Sequence, residues 1–334
     1  MKKKVLILGS SSFSGASMVN FLLSKKNVLV YGTYRRKKIQ SYLPYTYNKN
    51  YKSFKAFQID FLKSPKKLLN IIKNFKPEYI IDFASICMVN QSWNNPKIYF
   101  QTNVLFKAEM LIQLKKFNFL KKYIYISTPE IFGSSNKFIH EDNNNFNPST
   151  PYATSKLSAE ILLKNYFNFY KLPIIISRFS NFYGPGQPVY RLIPKIIACI
   201  DKNKKFSVEG NGRSKRNFIF SHDFCNGIYK VMIIGKVGNT YHFSGDKFYS
   251  VLDIIKTACG LKLFKLSKLI KKTKGRIGQD LVYKLGSIKT RRALGWKPIY
   301  SLEKGLNEII MYHNKNFVNI SKKLLTYDDK HLKK

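Results

Sequence analysis

Tyr152 and Lys156 stand one helical turn apart, behind Pro151, a residue suited to the first turn of a helix. A lysine ammonium beside a phenol stabilises the phenolate and lowers its pKa, so such a pair can take and return a proton. Upstream, residues 123–127 alternate apolar and β-branched side chains as a buried strand does. That strand delivers Ser127, Thr128 and Glu130 at its carboxyl end, where open α/β sheets place their chemistry. Thr128, Tyr152 and Lys156 then make one proton-handling set. Y-x-x-x-K alone is common in a chain with 22 tyrosines, and its company is what distinguishes it.

The elements that must position this set begin at residue 5. A short apolar strand, 5–8, meets the turn Gly9-Ser-Ser-Ser12-Phe13-Ser-Gly15, and an apolar-periodic helix with Met18, Val19, Leu22 and Leu23 follows. Strand, glycine turn and helix form the context of a dinucleotide fingerprint. Gly9 permits the tight turn, Gly15 lets helix and strand approach, and the helix N-terminus faces a pyrophosphate. Ser12 occupies the place of a third glycine, small enough to fit and able to donate a hydrogen bond. A second strand, 28–31, runs into Arg35 and Arg36. An acidic residue there would hold the ribose hydroxyls of NAD, whereas arginines suit a 2′-phosphate, so NADP is favoured over NAD. Strands at 54–61, 79–84 and 174–177, with a helix at 68–75, continue an alternation that predicts a parallel sheet with right-handed crossovers.

The formal net charge of +41 draws anionic ligands inward. The lysines are scattered through every segment, with no basic arm and no basic-aromatic repeat, so no nucleic-acid partner is expected. Cys87, Cys199, Cys225 and Cys259 form no C-x-x-C pair, which argues against structural zinc or a disulfide framework and leaves no metal site to assign. No stretch reaches the ~20 apolar residues of a membrane span, and the apolar run after the basic start is too short for a signal peptide. The expectation is a soluble, cytoplasmic protein with no membrane partner.

With these motifs in hand, the chain resembles the extended short-chain dehydrogenase/reductase family, and within it the NAD(P)-dependent nucleotide-sugar 4,6-dehydratases and epimerases. S-T-P-E at 127–130, Y-A-T-S-K at 152–156, R-F-S-N-F-Y-G-P-G-Q at 178–187, the G-x-G-x-x-x-R block at 210–216 and G-R-I-G-Q-D at 275–280 carry the resemblance. It implies a Rossmann-like doubly wound parallel sheet with a smaller C-terminal α/β substrate lobe. The implied division is a Rossmann domain at 1–177, a lobe at 178–316 that binds a nucleotide-diphosphate sugar while returning chain to the sheet, and a basic tail at 317–334. It also implies cofactor contacts from Asp60, Phe61, Ala84 and Ser85, and substrate contacts from Ser92, Asn181, Arg191, Arg216 and Arg276. Asn103 would tie its helix to the active-site strand, and Asp223 would brace the lobe. Relatives dimerise through a four-helix bundle, here a helix near 97–116 and the helix at 152–169.

The dTDP-glucose branch of that family carries an aspartate acid where this chain has Pro129, and the GDP-mannose branch uses one glutamate as both base and acid. The resemblance therefore assigns both tasks to Glu130. The implied reaction is redox-neutral conversion of an NDP-hexose to an NDP-4-keto-6-deoxyhexose, a step of deoxysugar biosynthesis. A 4-epimerase or 4-ketoreductase of the same family is the alternative, and such relatives carry a small residue where Glu130 stands. A non-catalytic nucleic-acid-binding relative is a more distant one.

Overall fold

The computed structural model describes residues 2–209, 212, 215–273 and 284–316. Seven strands build the central sheet: β1 (Lys3–Leu8), β2 (Val28–Tyr34), β3 (Lys55–Gln58), β4 (Tyr79–Asp82), β5 (Lys122–Ser127), β6 (Ile174–Phe179) and β7 (Thr240–Phe243). Their order is β7-β6-β5-β4-β1-β2-β3, and every neighbouring pair is parallel. The order reverses between β1 and β4, so the crevice beyond their carboxyl ends is the switch point at which such sheets bind ligands.

Alternate residues of each strand enter opposite cores, as the period of two demands. Val5 and Ile7 of β1 join the apolar side of helix α1 (Phe13–Leu23), with Phe224, Ile228 and Trp296 on the same layer. Leu6 and Leu8 face the other way, onto α2 (Pro65–Phe75), α3 (Phe106–Leu114) and α4 (Pro151–Tyr170). A third core gathers Ile196, Ile254, Leu306 and Ile309 from the helices Leu192–Asp201, Val251–Leu261 and Leu302–Lys315. Beside it, Lys215–Phe220 is the middle strand of three, parallel to Asn181–Tyr183 and antiparallel to Phe248–Ser250. Asp223 braces this region as expected: its Oδ2 accepts from the backbone amides of Ile299 (3.1 Å) and Tyr300 (2.9 Å).

Three local expectations change. β3 covers four residues, because Asp60 turns the chain by accepting from the Leu62 amide (3.0 Å), a local bond that competes with the ladder. The helix near 97–116 is three pieces, Pro96–Phe100, a π-helical turn Gln101–Leu105 and α3. Asn103 lies in that π turn and does not reach the active-site strand. Its side chain bonds the amide (3.0 Å) and carbonyl (3.1 Å) of Ile86 and donates to Ser155 Oγ on α4 (3.0 Å). Among the described residues, no helix is long and apolar enough to cross a membrane.

Candidate active site

One cavity of about 530 Å³ runs along the carboxyl edge of the sheet, from the turn after β1 to the loops after β6. Gly9 has φ +79°, and a Cβ there would press on the Phe83 and Ala84 backbone at 3.1 Å. A Cβ on Gly15 would come within 2.3 Å of the Gly9 carbonyl oxygen, so both positions demand glycine. Gly15 therefore acts behind the turn and does not line the cavity. Ser12 lines it, but its hydroxyl is engaged in the turn, donating to Gly9 O (2.8 Å) and accepting from Gly15 N (3.1 Å) to cap α1.

Phe13, Arg35, Arg36, Asp60, Phe61, Ala84 and Ser85 line the same end. The Phe61 ring stacks flat on Phe106 with centroids 4.3 Å apart, and Arg36 hydrogen-bonds the Tyr42 phenol. Three buried polar atoms on the cavity lining, Thr102 Oγ1, Ser127 Oγ and Gln187 Oε1, have no partner among the described residues. Orphaned polar atoms, a glycine turn and a helix N-terminus at the sheet's switch point together fit a dinucleotide.

The reacting end is built by two capped turns. Thr128 follows β5 and caps the 3₁₀ turn Pro129–Phe132, its Oγ1 accepting from the Glu130 amide at 3.3 Å. Pro129 sits at the first position of that turn, where its missing N–H costs nothing. It cannot protonate a substrate, but it fixes how Glu130 leaves the strand. Thr150 caps α4 through the Ala153 amide (3.2 Å), with Pro151 in the first turn as expected. Tyr152 and Lys156 are both buried on α4 and line the cavity with Thr128 and Glu130.

The electrostatics correct the expected tuning of the tyrosine. Burial pushes the Tyr152 phenol well above its usual range, and the Glu130 carboxylate and Cys87 add to that; a hydrogen bond from Thr128 and the Arg191 guanidinium pull it back. The Lys156 ammonium donates to Ser85 Oγ (2.9 Å) and Ile126 O (2.7 Å), and it is not among the groups that act most on Tyr152. Burial brings Lys156 down to about 7, helped by the neighbouring Lys107 and opposed by Asp82 and Glu160.

At the far end, Asn181 and Arg216 line the cavity, and Asn181 Nδ2 donates to Asn217 O (3.1 Å). Arg191 reaches inward: it donates to Cys87 Sγ at 3.5 Å, and its charge acts on Tyr152. Ser92 is a correction, because it is fully buried outside the cavity and its hydroxyl donates to Val89 O (2.5 Å). Arg276 lies outside the described residues, as does the basic tail. Sequence reasoning missed Tyr42 and Cys87, which line the cavity but sit in segments with no motif of their own. Among the described residues no three His, Cys, Asp or Glu side chains converge as a metal site would require.

Comparison with known proteins adds four findings. The family described as GDP-mannose 4,6 dehydratase matches residues 6–309. The dTDP-D-glucose 4,6-dehydratase of Dictyostelium discoideum is 31% identical over 78% of this chain and 62% of its own length. The human dTDP-D-glucose 4,6-dehydratase is 27% identical over 95% of this chain and 91% of its own. Among solved structures, dTDP-glucose 4,6-dehydratase from Bacillus anthracis in complex with NAD superposes with a TM-score of 0.84 at 25% identity, covering 95% of this chain and 98% of that one.

Proposed function

The chain belongs to the GDP-mannose 4,6-dehydratase family, and we propose on that premise that it is a nucleotide-sugar 4,6-dehydratase working through a nicotinamide nucleotide. The observation that carries the reading is Glu130, held by the Pro129 turn in the same cavity as Thr128 and close enough to Tyr152 to act on its ionisation. An epimerase or ketoreductase needs no carboxylate there.

A bound nicotinamide supplies reversible storage of the hydride from sugar C4. Tyr152 takes the proton of the C4 hydroxyl, its phenolate favoured by the Arg191 charge against the effect of burial, and Thr128 holds that oxygen by hydrogen bond. The C4 ketone acidifies the C5 proton, which Glu130 removes and then delivers to the departing C6 hydroxyl as water; the stored hydride would return to C6 and a solvent proton to C5, in balance with the proton that Tyr152 holds and later releases. Asn181 and Arg216 hold the substrate diphosphate, for which a planar guanidinium fork is well shaped. The part of the chain at 178–316 is thus the sugar-nucleotide side of the cleft. The test is mass spectrometry after incubation with a panel of nucleotide hexoses and cofactor. Loss of one water from a hexose supports the reading, and an isomerised or reduced sugar of unchanged carbon oxidation pattern at C6 overturns it.

The preference for NADP rests on Arg35 and Arg36, which line the cavity and are exposed to a ligand. The B. anthracis relative is described in complex with NAD, so the preference rests on these two arginines alone. Replacing both with Ser removes charge-assisted bonds, and NADP binding should weaken ~10-fold or more beyond any loss of NAD binding. Equal losses in a titration overturn the preference.

Homodimerisation through the helices around 97–116 and α4 is supported by exposed Leu105, Ile112 and Ile161 on those elements. A monomer by light scattering at micromolar concentration removes this part of the proposal.

A further inference from the structure

Lys107 is 0% exposed on α3, between the buried residues Phe106 and Met110 that pack on the sheet. An unpaired ammonium there would cost several kcal/mol, on the order of the penalty for any buried ion. Its partner is Asp82 at the end of β4, also 0% exposed, with Nζ and Oδ2 2.5 Å apart. Lys107 donates as well to the carbonyl of Ala84 (2.8 Å), while Asp82 Oδ1 accepts from the Ala84 amide (2.8 Å). The Tyr123 hydroxyl closes the set by donating to Asp82 Oδ2.

The ion pair therefore grips both backbone polar atoms of Ala84, and Ala84 and Ser85 form the cavity wall on which Lys156 rests through Ser85 Oγ. The two ammonium groups also approach one aromatic ring: Lys156 lies 4.1 Å and Lys107 6.0 Å from the centre of Tyr125. The groups around Lys156 are Lys107 on α3, Asp82 on β4, Tyr125 on β5, Cys87 in the loop after β4, and Tyr152 and Glu160 on α4.

We propose that Lys107 is a positioning residue for Lys156: with Asp82 it clamps the Ala84–Ser85 wall beneath the catalytic ammonium, and it sets a second positive charge behind that ammonium. A like charge on the same ring favours release of the Lys156 proton, and low local polarity strengthens the effect. Burial and Lys107 both act on Lys156 in that direction. The clamp, through Ser85, also keeps the ammonium pointed at the cavity. The functional meaning rests on the reading of Lys156 as the catalytic lysine.

The test is a titration of Lys156 by NMR of protein carrying ¹³C-labelled lysine, its resonance assigned by disappearance in Lys156→Arg. It needs neither cofactor nor turnover, so it stands even if the dehydratase activity is not found. In the unsubstituted protein the midpoint is expected at about 7. Lys107→Met should raise it by ~1 unit, since the repelling charge goes while Asp82 stays. Lys107→Arg keeps the charge and should leave the midpoint in place. Lys107→Met with Asp82→Asn removes both opposing charges, of which Lys107 acts more strongly, so the midpoint should rise by less. A purely structural lysine would not order the midpoints by charge. Coinciding midpoints in the folded variants overturn the proposal. If Lys107→Met alone does not fold, the neutral double variant decides: a raised midpoint supports the proposal, and an unchanged or lowered one overturns it.

Discussion

In Glu130→Gln, reduced nicotinamide accumulates with a nucleotide sugar bound, and the 4-keto-6-deoxy product fails to form. Tyr152, Thr128 and Lys156 are untouched by the substitution, so oxidation at C4 survives. The amide can neither take the C5 proton nor return one at C6. Elimination should fall by ~10²–10⁴, the usual contribution of a positioned acid–base group. Because Pro129 occupies the neighbouring position and cannot act as an acid, no adjacent group takes over. Dehydration at close to the unsubstituted rate would remove Glu130 from the mechanism. The measurement is absorbance of reduced cofactor beside mass spectrometry of the sugar, and the geometry that makes it informative is local: the amide keeps the shape of the turn from Thr128 to Phe132.

Glu160→Ala should cause the largest loss of stability. Glu160 on α4 and Arg178 on β6 are each 1% exposed, joined by Nε–Oε1 (3.0 Å) and Nη2–Oε2 (2.5 Å) bonds. Arg178 Nη1 meets His242 Nε2 at 3.1 Å, and its guanidinium lies over the Phe132 ring at 4.9 Å. Arginine only donates, and the Gly286 carbonyl near Nδ1 (3.1 Å) only accepts, so His242 carries its proton on Nδ1 and stays neutral. Burial, with Arg178 beside it, holds its pKa well below the usual value. Nothing in this set neutralises Arg178 once Glu160 is gone. Stranding a buried cation costs about 3–5 kcal/mol, which lowers the melting temperature of a chain this long by about 4–7 °C. Calorimetry checks this, and a melting temperature within ~2 °C of the unsubstituted protein would contradict it. Replacing both partners with apolar residues of similar volume should recover much of the loss, since the paired ions have little net worth over a packed apolar pair. The pair joins the helix of Tyr152 to the strand beside β5, and through Phe132 it touches the turn of Glu130, so activity should decline with stability.

The sequence by itself determined the parts of this protein that depend on neighbours a few residues away. The β1–Gly9–α1 turn, the cap and proline that start α4, the Tyr152–Lys156 spacing and the parallel class of the sheet all follow from short-range periodicity, φ requirements and capping chemistry. The stretch from Thr128 to Glu130 was legible for the same reason, because a strand end and a proline turn fix where those side chains leave the backbone.

Tertiary structure alone decided the rest. The four-residue β7 acquires its identity by pairing with β6, from Thr240 opposite Ile176 to Phe243 opposite Phe179, and nothing in its own residues specifies that partner. Ser92, a substrate contact by the resemblance, is fully buried by packing and does not line the cavity. Arg191 finds Cys87, and Lys107 finds Asp82, across long separations in the chain. Most plainly, the spacing of Tyr152 and Lys156 says that the two can meet, but not which way each is tuned. Solvation and charge act through space, so the tuning is set by burial and by groups on three other elements, Asp82, Lys107 and Glu130, which only the folded chain brings beside them.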